Sequence, residues 1–197
     1  MRAFIAVEIS EEQRKKLTEF QSALEKCGAD LKIVEPENLH MTLRFLGEIS
    51  EQELEKAKKG LQFAVSGLQS FSLSIKGAGV FPNLNYIRVV WAGVEKGKEE
   101  LSSIAEKINS EIKVGEKDAL RSASSVSRFA RDERGFSAHI TVARAKTAKS
   151  KEKIAEILKE YLNFDFGETT VSEIKIKESK LSPKGPVYSD LFSVKLS

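Results

Sequence analysis

The sequence predicts an α+β protein of two similar lobes, related by a pseudo-twofold axis. Each lobe is expected to be an antiparallel sheet with helices on its outer face, and a groove separates the two. Three observations lead there. Both histidines of the 197-residue chain sit in one pattern, His40-Met41-Thr42-Leu43 and His139-Ile140-Thr141-Val142. Ten and eleven residues after these histidines comes a serine that opens a helical segment. Each helix is then followed by an alternating strand, a Pro-containing turn (Phe81-Pro82-Asn83 once, Ser182-Pro183-Lys184-Gly185-Pro186 once) and a final strand. Threonine occurs only six times, so a Thr two places after both histidines is poorly explained by coincidence. Residues 1–197 are therefore expected to form one domain of two interleaved lobes.

The elements follow in order. Residues 2–8 read as a short strand whose apolar stretch is too brief for a secretory signal. Ser10-Glu11-Glu12-Gln13 has the form of a capping box, because a serine hydroxyl and a Gln side chain can satisfy each other's backbone N–H groups. Leu17, Phe20, Leu24 and Cys27 follow at three- and four-residue intervals, and Gly28 supplies the stop. A strand at 39–46 carries the first histidine. Ser50-Glu51-Gln52-Glu53 repeats the box before Leu54, Ala57, Leu61, Ala64 and Leu68. Strands are expected at 71–76, where Phe71, Leu73 and Ile75 alternate with Ser and Lys, and at 85–92. Leu101, Ile104, Ala105, Ile108 and Ile112 mark a third helix. Residues 115–135 are rich in Ser and Arg without periodicity and predict a long mobile insert loop. A strand at 136–144 carries the second histidine. Ile154, Ile157, Leu158, Tyr161 and Leu162 mark a fourth helix, and strands at 171–178 and 187–196 close the chain.

Composition narrows the function classes. Charged residues are 31% and apolar residues 41%, ordinary for a globular protein, and no apolar run approaches the ~20 residues of a membrane span. One cysteine, Cys27, cannot form an internal disulfide, and a reducing, cytoplasmic location is expected, with Cys27 a small core residue. Net charge is only +3. Between Arg121 and Lys151, however, eight basic residues (Arg121, Arg128, Arg131, Arg134, Arg144, Lys146, Lys149, Lys151) face two acids, Asp132 and Glu133. That excess flanks the second histidine and suits a polyanion. No GxxxxGK[ST] phosphate loop is present, and two histidines without patterned cysteines do not make a recognisable zinc site.

Side chains on a strand alternate faces, so His40, Thr42 and Arg44 are expected on one side and Met41, Leu43 and Phe45 on the other. His139 and Thr141 likewise share a face, backed by Ile140 and Val142. Opening a phosphodiester needs a base to activate the attacking oxygen and an acid to protonate the departing one. Imidazole serves both, because its ordinary pKa near 6.5 leaves both forms accessible at neutral pH. The threonine hydroxyls can donate to non-bridging phosphate oxygens. Arg44 is a candidate phosphate contact. Arg144, five residues past His139 and on the opposite parity, ranks below it. Phe81, Trp91 and Tyr188 could stack a base, Trp91 being better placed in the core.

The duplicated motif resembles the 2H phosphoesterase superfamily, and more narrowly the RNA 2′,3′-cyclic phosphodiesterase group, also called 2′-5′ RNA ligases. The resemblance rests on Arg2-Ala3-Phe4-Ile5-Ala6-Val7, His40-Met41-Thr42-Leu43-Arg44-Phe45-Leu46-Gly47, Phe81-Pro82 leading to Arg88-Val89-Val90-Trp91, and Gly135-Phe136-Ser137-Ala138-His139-Ile140-Thr141-Val142-Ala143-Arg144. Ala138 stands where relatives often place Pro. The resemblance implies a bilobal α+β fold and metal-free, cofactor-free hydrolysis of a 2′,3′-cyclic phosphate to a 2′-phosphate. It also implies ATP-independent joining of RNA ends through a 2′-5′ bond. His40 would be the proton donor to the leaving 3′ oxygen and His139 the proton acceptor that activates water, with Thr42 and Thr141 on the phosphate. RNA ends or nucleoside 2′,3′-cyclic phosphates are the expected partners. No membrane and no obligate protein partner is expected, and the chain is expected to be a monomer. Two alternatives stay open: an RNA-end-binding protein without turnover, and an enzyme of the same type acting on another cyclic phosphate or on linear RNA.

Overall fold

The computed structural model describes residues 1–114, 131–132, 135–147, 151–183 and 185–197. The strands are β1 (Arg2–Val7), β2 (Leu31–Ile33), β3 (Met41–Glu48), β4 (Phe71–Asn83), β5 (Tyr86–Val94), β6 (Arg131–Asp132), β7 (Gly135–Phe136), β8 (His139–Ala145), β9 (Asp165–Val171), β10 (Glu173–Ser182) and β11 (Gly185–Lys195). The helices among the described residues are α1 (Glu11–Lys26), α2 (Glu51–Ala64), α3 (Lys98–Glu111) and α4 (Lys151–Tyr161). Most of the expected 115–135 insert lies outside the described residues. Its end includes β6 and β7, which pair with each other.

Both capping boxes form. Ser10 and Ser50 accept from the backbone N–H three residues on, and Gln13 and Glu53 reach back to the serine N–H groups. Gly28, just past α1, takes a left-handed φ of 72°, which a glycine adopts without steric penalty. The apolar stripe of α1 is packed as its spacing requires, with Leu17, Phe20 and Leu24 fully buried. Truncating any one of them would cost about 2–5 kcal/mol. Cys27 is half-buried against this core, its Sγ donating to the Leu24 carbonyl at 3.0 Å. No helix among the described residues is long and apolar enough to cross a membrane.

The main sheet is antiparallel, in the order β11-β10-β1-β3-β8-β5-β4-β9, with β2 added beside β8. Its two halves meet at β3 and β8, joined by the single pair Met41 and Ile140. Helices α2 and α3 pack together, and against β11 and β3 respectively, covering the first half. Helix α1 lies on β9, β2 and β8, and α4 on α1 and β4, covering the second. The lobes are thus real but fused into one sheet, and the chain crosses the seam repeatedly. Two strands escape the sequence patterns. Three-residue β2 is too short to show alternation, and β9 (Asp-Phe-Gly-Glu-Thr-Thr-Val) keeps no strict period.

Candidate active site

The seam determines which side chains converge. Antiparallel neighbours of the Met41–Ile140 pair are His40 beside Thr141 and Thr42 beside His139. Met41 and Ile140 point inward and are fully buried, so alternation carries all four motif side chains onto the other face. There the histidines are diagonal neighbours across the seam.

Both imidazoles are held by the same device. Nδ1 of His40 lies 2.7 Å from the carbonyl oxygen of Asn38, and Nδ1 of His139 lies 2.8 Å from that of Ser137. A carbonyl only accepts, so each Nδ1 carries a proton, and in the neutral ring each Nε2 is left with its lone pair. His40 Nε2 accepts from the Thr42 hydroxyl at 2.9 Å. Around His40, Phe4 stacks at 4.8 Å and Tyr188 meets the ring edge-on at 5.3 Å. His139 meets Phe81 edge-on at 5.1 Å, and Phe81 leans on Trp91 at 5.2 Å.

Burial lowers the pKa of His40 to about 4, because a charged ring loses hydration. The Asn38 carbonyl and Glu8 work against this, while Lys177 and Arg14 add to it. Burial lowers the pKa of His139 too, opposed by the Ser137 carbonyl and reinforced by Arg144. The charges near His40 form a network: Lys177 contacts Glu8 and lies 2.9 Å from Asp190, Lys175 lies 2.7 Å from Asp190, and Arg14 lies 4.0 Å from Glu8.

Strict alternation fails at one place in each motif. Opposite β1, Ala6 pairs with Thr42 but Ile5 pairs with Arg44, so Leu43 is a bulge. Opposite β5, Trp91 pairs with Thr141 but Val90 pairs with Ala143, so Val142 is the matching bulge. An extra residue inverts the parity of everything after it. This corrects the expectation for Arg44. It leaves the histidine face, and its guanidinium donates to the carbonyls of Ile108 at 3.1 Å, Ile112 at 2.6 Å and Val114 at 3.3 Å, capping the end of α3. Phe45 turns the other way, joining Phe4 on the groove side, 44% exposed. In β8 the same inversion buries Ala143 and brings Arg144 into the groove lining. The Val142 carbonyl that the bulge frees accepts from Gln21 Nε2 at 2.9 Å and from Val34 N at 3.0 Å. Gln21 is a buried polar residue on α1 whose one signal in the sequence is a Gln on an apolar stripe.

Tyr188 is placed beside His40. Trp91 departs from the core expectation. It is half-buried on the histidine face, its ring so close across Gly79 that a Cβ there would sit 2.4 Å from it. Of the basic stretch, Arg121, Arg128, Arg134 and Lys149 lie outside the described residues, and Lys146 pairs with Asp30 at 3.6 Å.

The chain is similar to known proteins along nearly its whole length. A family profile described as "LigT like Phosphoesterase" matches residues 7–91 and 116–188. A Methanothermobacter thermautotrophicus protein named RNA 2′,3′-cyclic phosphodiesterase is 38% identical, over 97% of this chain and 96% of its own. One of the same name from Archaeoglobus fulgidus is 38% identical, over 97% and 98%. A crystal structure of a Thermus thermophilus protein, TT0787, superimposes with a TM-score of 0.75 at 30% identity, covering 100% of this chain and 98% of that one.

Proposed function

The chain belongs to the LigT-like phosphoesterase family, and on that premise we propose that it is an RNA 2′,3′-cyclic phosphodiesterase working through His40 and His139 without a metal. The observation that carries this is the seam: two imidazoles and two threonines on one face, each imidazole fixed through Nδ1 so that Nε2 is the nitrogen left for proton transfer, that of His40 lying on the Thr42 hydroxyl.

The reaction opens the cyclic ester. Water attacks phosphorus opposite O3′, the P–O3′ bond breaks, and a 2′-phosphate with a free 3′-hydroxyl results. His139 Nε2 takes the water proton and protonated His40 Nε2 gives its proton to O3′, after which the two rings re-equilibrate with solvent. Each transfer contributes about 10²–10⁴-fold. At His40, Glu8 favours an imidazolium against Lys177 and Arg14, and at His139 Arg144 disfavours one. The substrate's negative charge acts on both rings against burial, raising their pKa values in the complex. Thr42 and Thr141 donate to the non-bridging oxygens, where charge builds in the transition state. Tyr188 closes the His40 side. A 5′-hydroxyl in place of water would give a 2′-5′ bond, the minor direction in dilute solution unless the ends are held together.

The test is hydrolysis of a nucleoside 2′,3′-cyclic phosphate in EDTA, with the product identified by phosphorus NMR. We expect the 2′-phosphate, and a loss of about 10²–10⁴-fold in His40→Ala and in His139→Ala. Undiminished turnover by either variant, or an absolute need for a divalent metal, sinks the proposal. Salt-dependent RNA binding with no product would favour the end-binding alternative.

A further inference from the structure

Behind Phe4 and Tyr188, the rings that flank His40, opens a groove of about 400 Å³ whose lining also includes Arg2, Lys32, Glu35, Phe45 and Arg144. Resting on the catalytic reading above, we infer that this groove is a second nucleotide site, taking the nucleotide that precedes the RNA end. Its base lies on Phe45 and its phosphodiester on Arg144.

Phe45 is a large aromatic with 44% of its surface exposed at the groove. It lies 6.2 Å from Phe4, the ring that stacks on His40. The aromatic wall is therefore continuous from the reaction centre outward, and bases stack on such walls regardless of sequence. Arg144 is half-buried, and among the described residues its guanidinium makes no hydrogen bond or ion pair. Burial lowers the Arg144 pKa, opposed by Tyr188, because a charged guanidinium loses hydration. A phosphodiester offers it a counter-charge, and arginine's planar fork matches the phosphate oxygens. The surroundings agree, since Arg2, Lys32 and Arg144 outnumber Glu35 among the charged lining residues.

The placement is built into the backbone. Phe45 and Arg144 each stand five residues after their histidine, and each is turned toward the groove by the bulge at Leu43 or Val142. The Val142 bulge is itself pinned by a buried hydrogen bond from Gln21. Equivalent positions of the two motifs thus carry one aromatic and one cation, the two contacts a single nucleotide needs.

The experiment compares kcat/KM for cytidine 2′,3′-cyclic phosphate with that for a cytidine dinucleotide ending in the same cyclic phosphate. We expect the dinucleotide to be favoured about tenfold or more, the size of one stacked base. Phe45→Ala and Arg144→Gln should each bring the ratio near one, while Phe45→Tyr, which keeps a ring, should preserve it. A ratio near one in the unmodified protein overturns the inference while leaving the catalytic reading intact. So does Phe45→Ala if it slows both substrates alike. If neither substrate turns over, the catalytic reading fails, and calorimetric titration reads the groove directly with a 3′-phosphorylated uridine dinucleotide against 3′-UMP. Tighter dinucleotide binding that the variants abolish then supports the site, and equal binding overturns it.

Discussion

Strands β3 and β8 carry the same motif, the same carbonyl latch on Nδ1 and the same bulge three residues after the histidine, yet their surroundings differ. His40 is enclosed by Phe4 and Tyr188 and lies near the Glu8–Lys177–Asp190 network. His139 has Phe81 at its edge and a guanidinium nearby. What the halves share prepares a neutral ring with a usable Nε2. What separates them is the ring neighbours and the charges nearby, Glu8, Lys177 and Arg14 at His40 and Arg144 at His139. The positions just after the bulges differ in the same way. Arg44 leaves the site to cap a helix, whereas its counterpart Ala143 only fills space.

Three measurements break or sharpen this comparison. The largest effect is expected from the threonines. Thr42→Val and Thr141→Val should each lower kcat by about 10²-fold, the usual loss of one transition-state donor. A loss confined to one of them would show that the phosphate is gripped from one half only. Next is Arg44→Ala, which leaves the three carbonyls at the end of α3 without their donor. Stability should fall by about 1–3 kcal/mol in urea unfolding while kcat changes little. A large kcat loss at unchanged stability would return Arg44 to the site.

The smallest and most diagnostic effect is in the titration of the two imidazoles. With only two histidines, proton NMR gives two ring signals, and His40→Ala assigns them. Both midpoints should lie below 6.5, with His40 at about 4. Acid and base are both depressed in the free enzyme, so the bell-shaped pH profile of kcat/KM should centre below 6.5. Glu8→Gln removes a carboxylate that favours the imidazolium and should lower the His40 midpoint further by a fraction of a unit, leaving His139 in place. An upward move, or an equal move at both rings, would show that Glu8 does not favour the imidazolium at His40 alone.

Much of this was legible in the residues. Both capping boxes, the stripe of α1 and the pairing of His with Thr two places on are local patterns, written in spacings of two, three and four. Where the sequence misled, it did so at one kind of feature. Parity put Arg44 with His40, and Phe45 and Arg144 away from the histidines. The bulges at Leu43 and Val142 reverse all three. A bulge has no composition of its own here; it is imposed by how β3 fits β1 and β8 fits β5. Trp91 was misjudged for a related reason, since its half-buried position depends on Gly79 across the strand pair.

The linear chain by itself determined the grouping of each imidazole with its hydroxyl, because side chains two residues apart on a strand share a face whatever the strand packs against. Only the tertiary structure decided which residues surround each pair. One cross-strand contact, Met41 with Ile140, brings two segments a hundred positions apart into register, and two extra residues in the ladders choose what faces the groove. Alternation is a property of a strand, but register belongs to pairs of strands, and no single strand encodes its partner's.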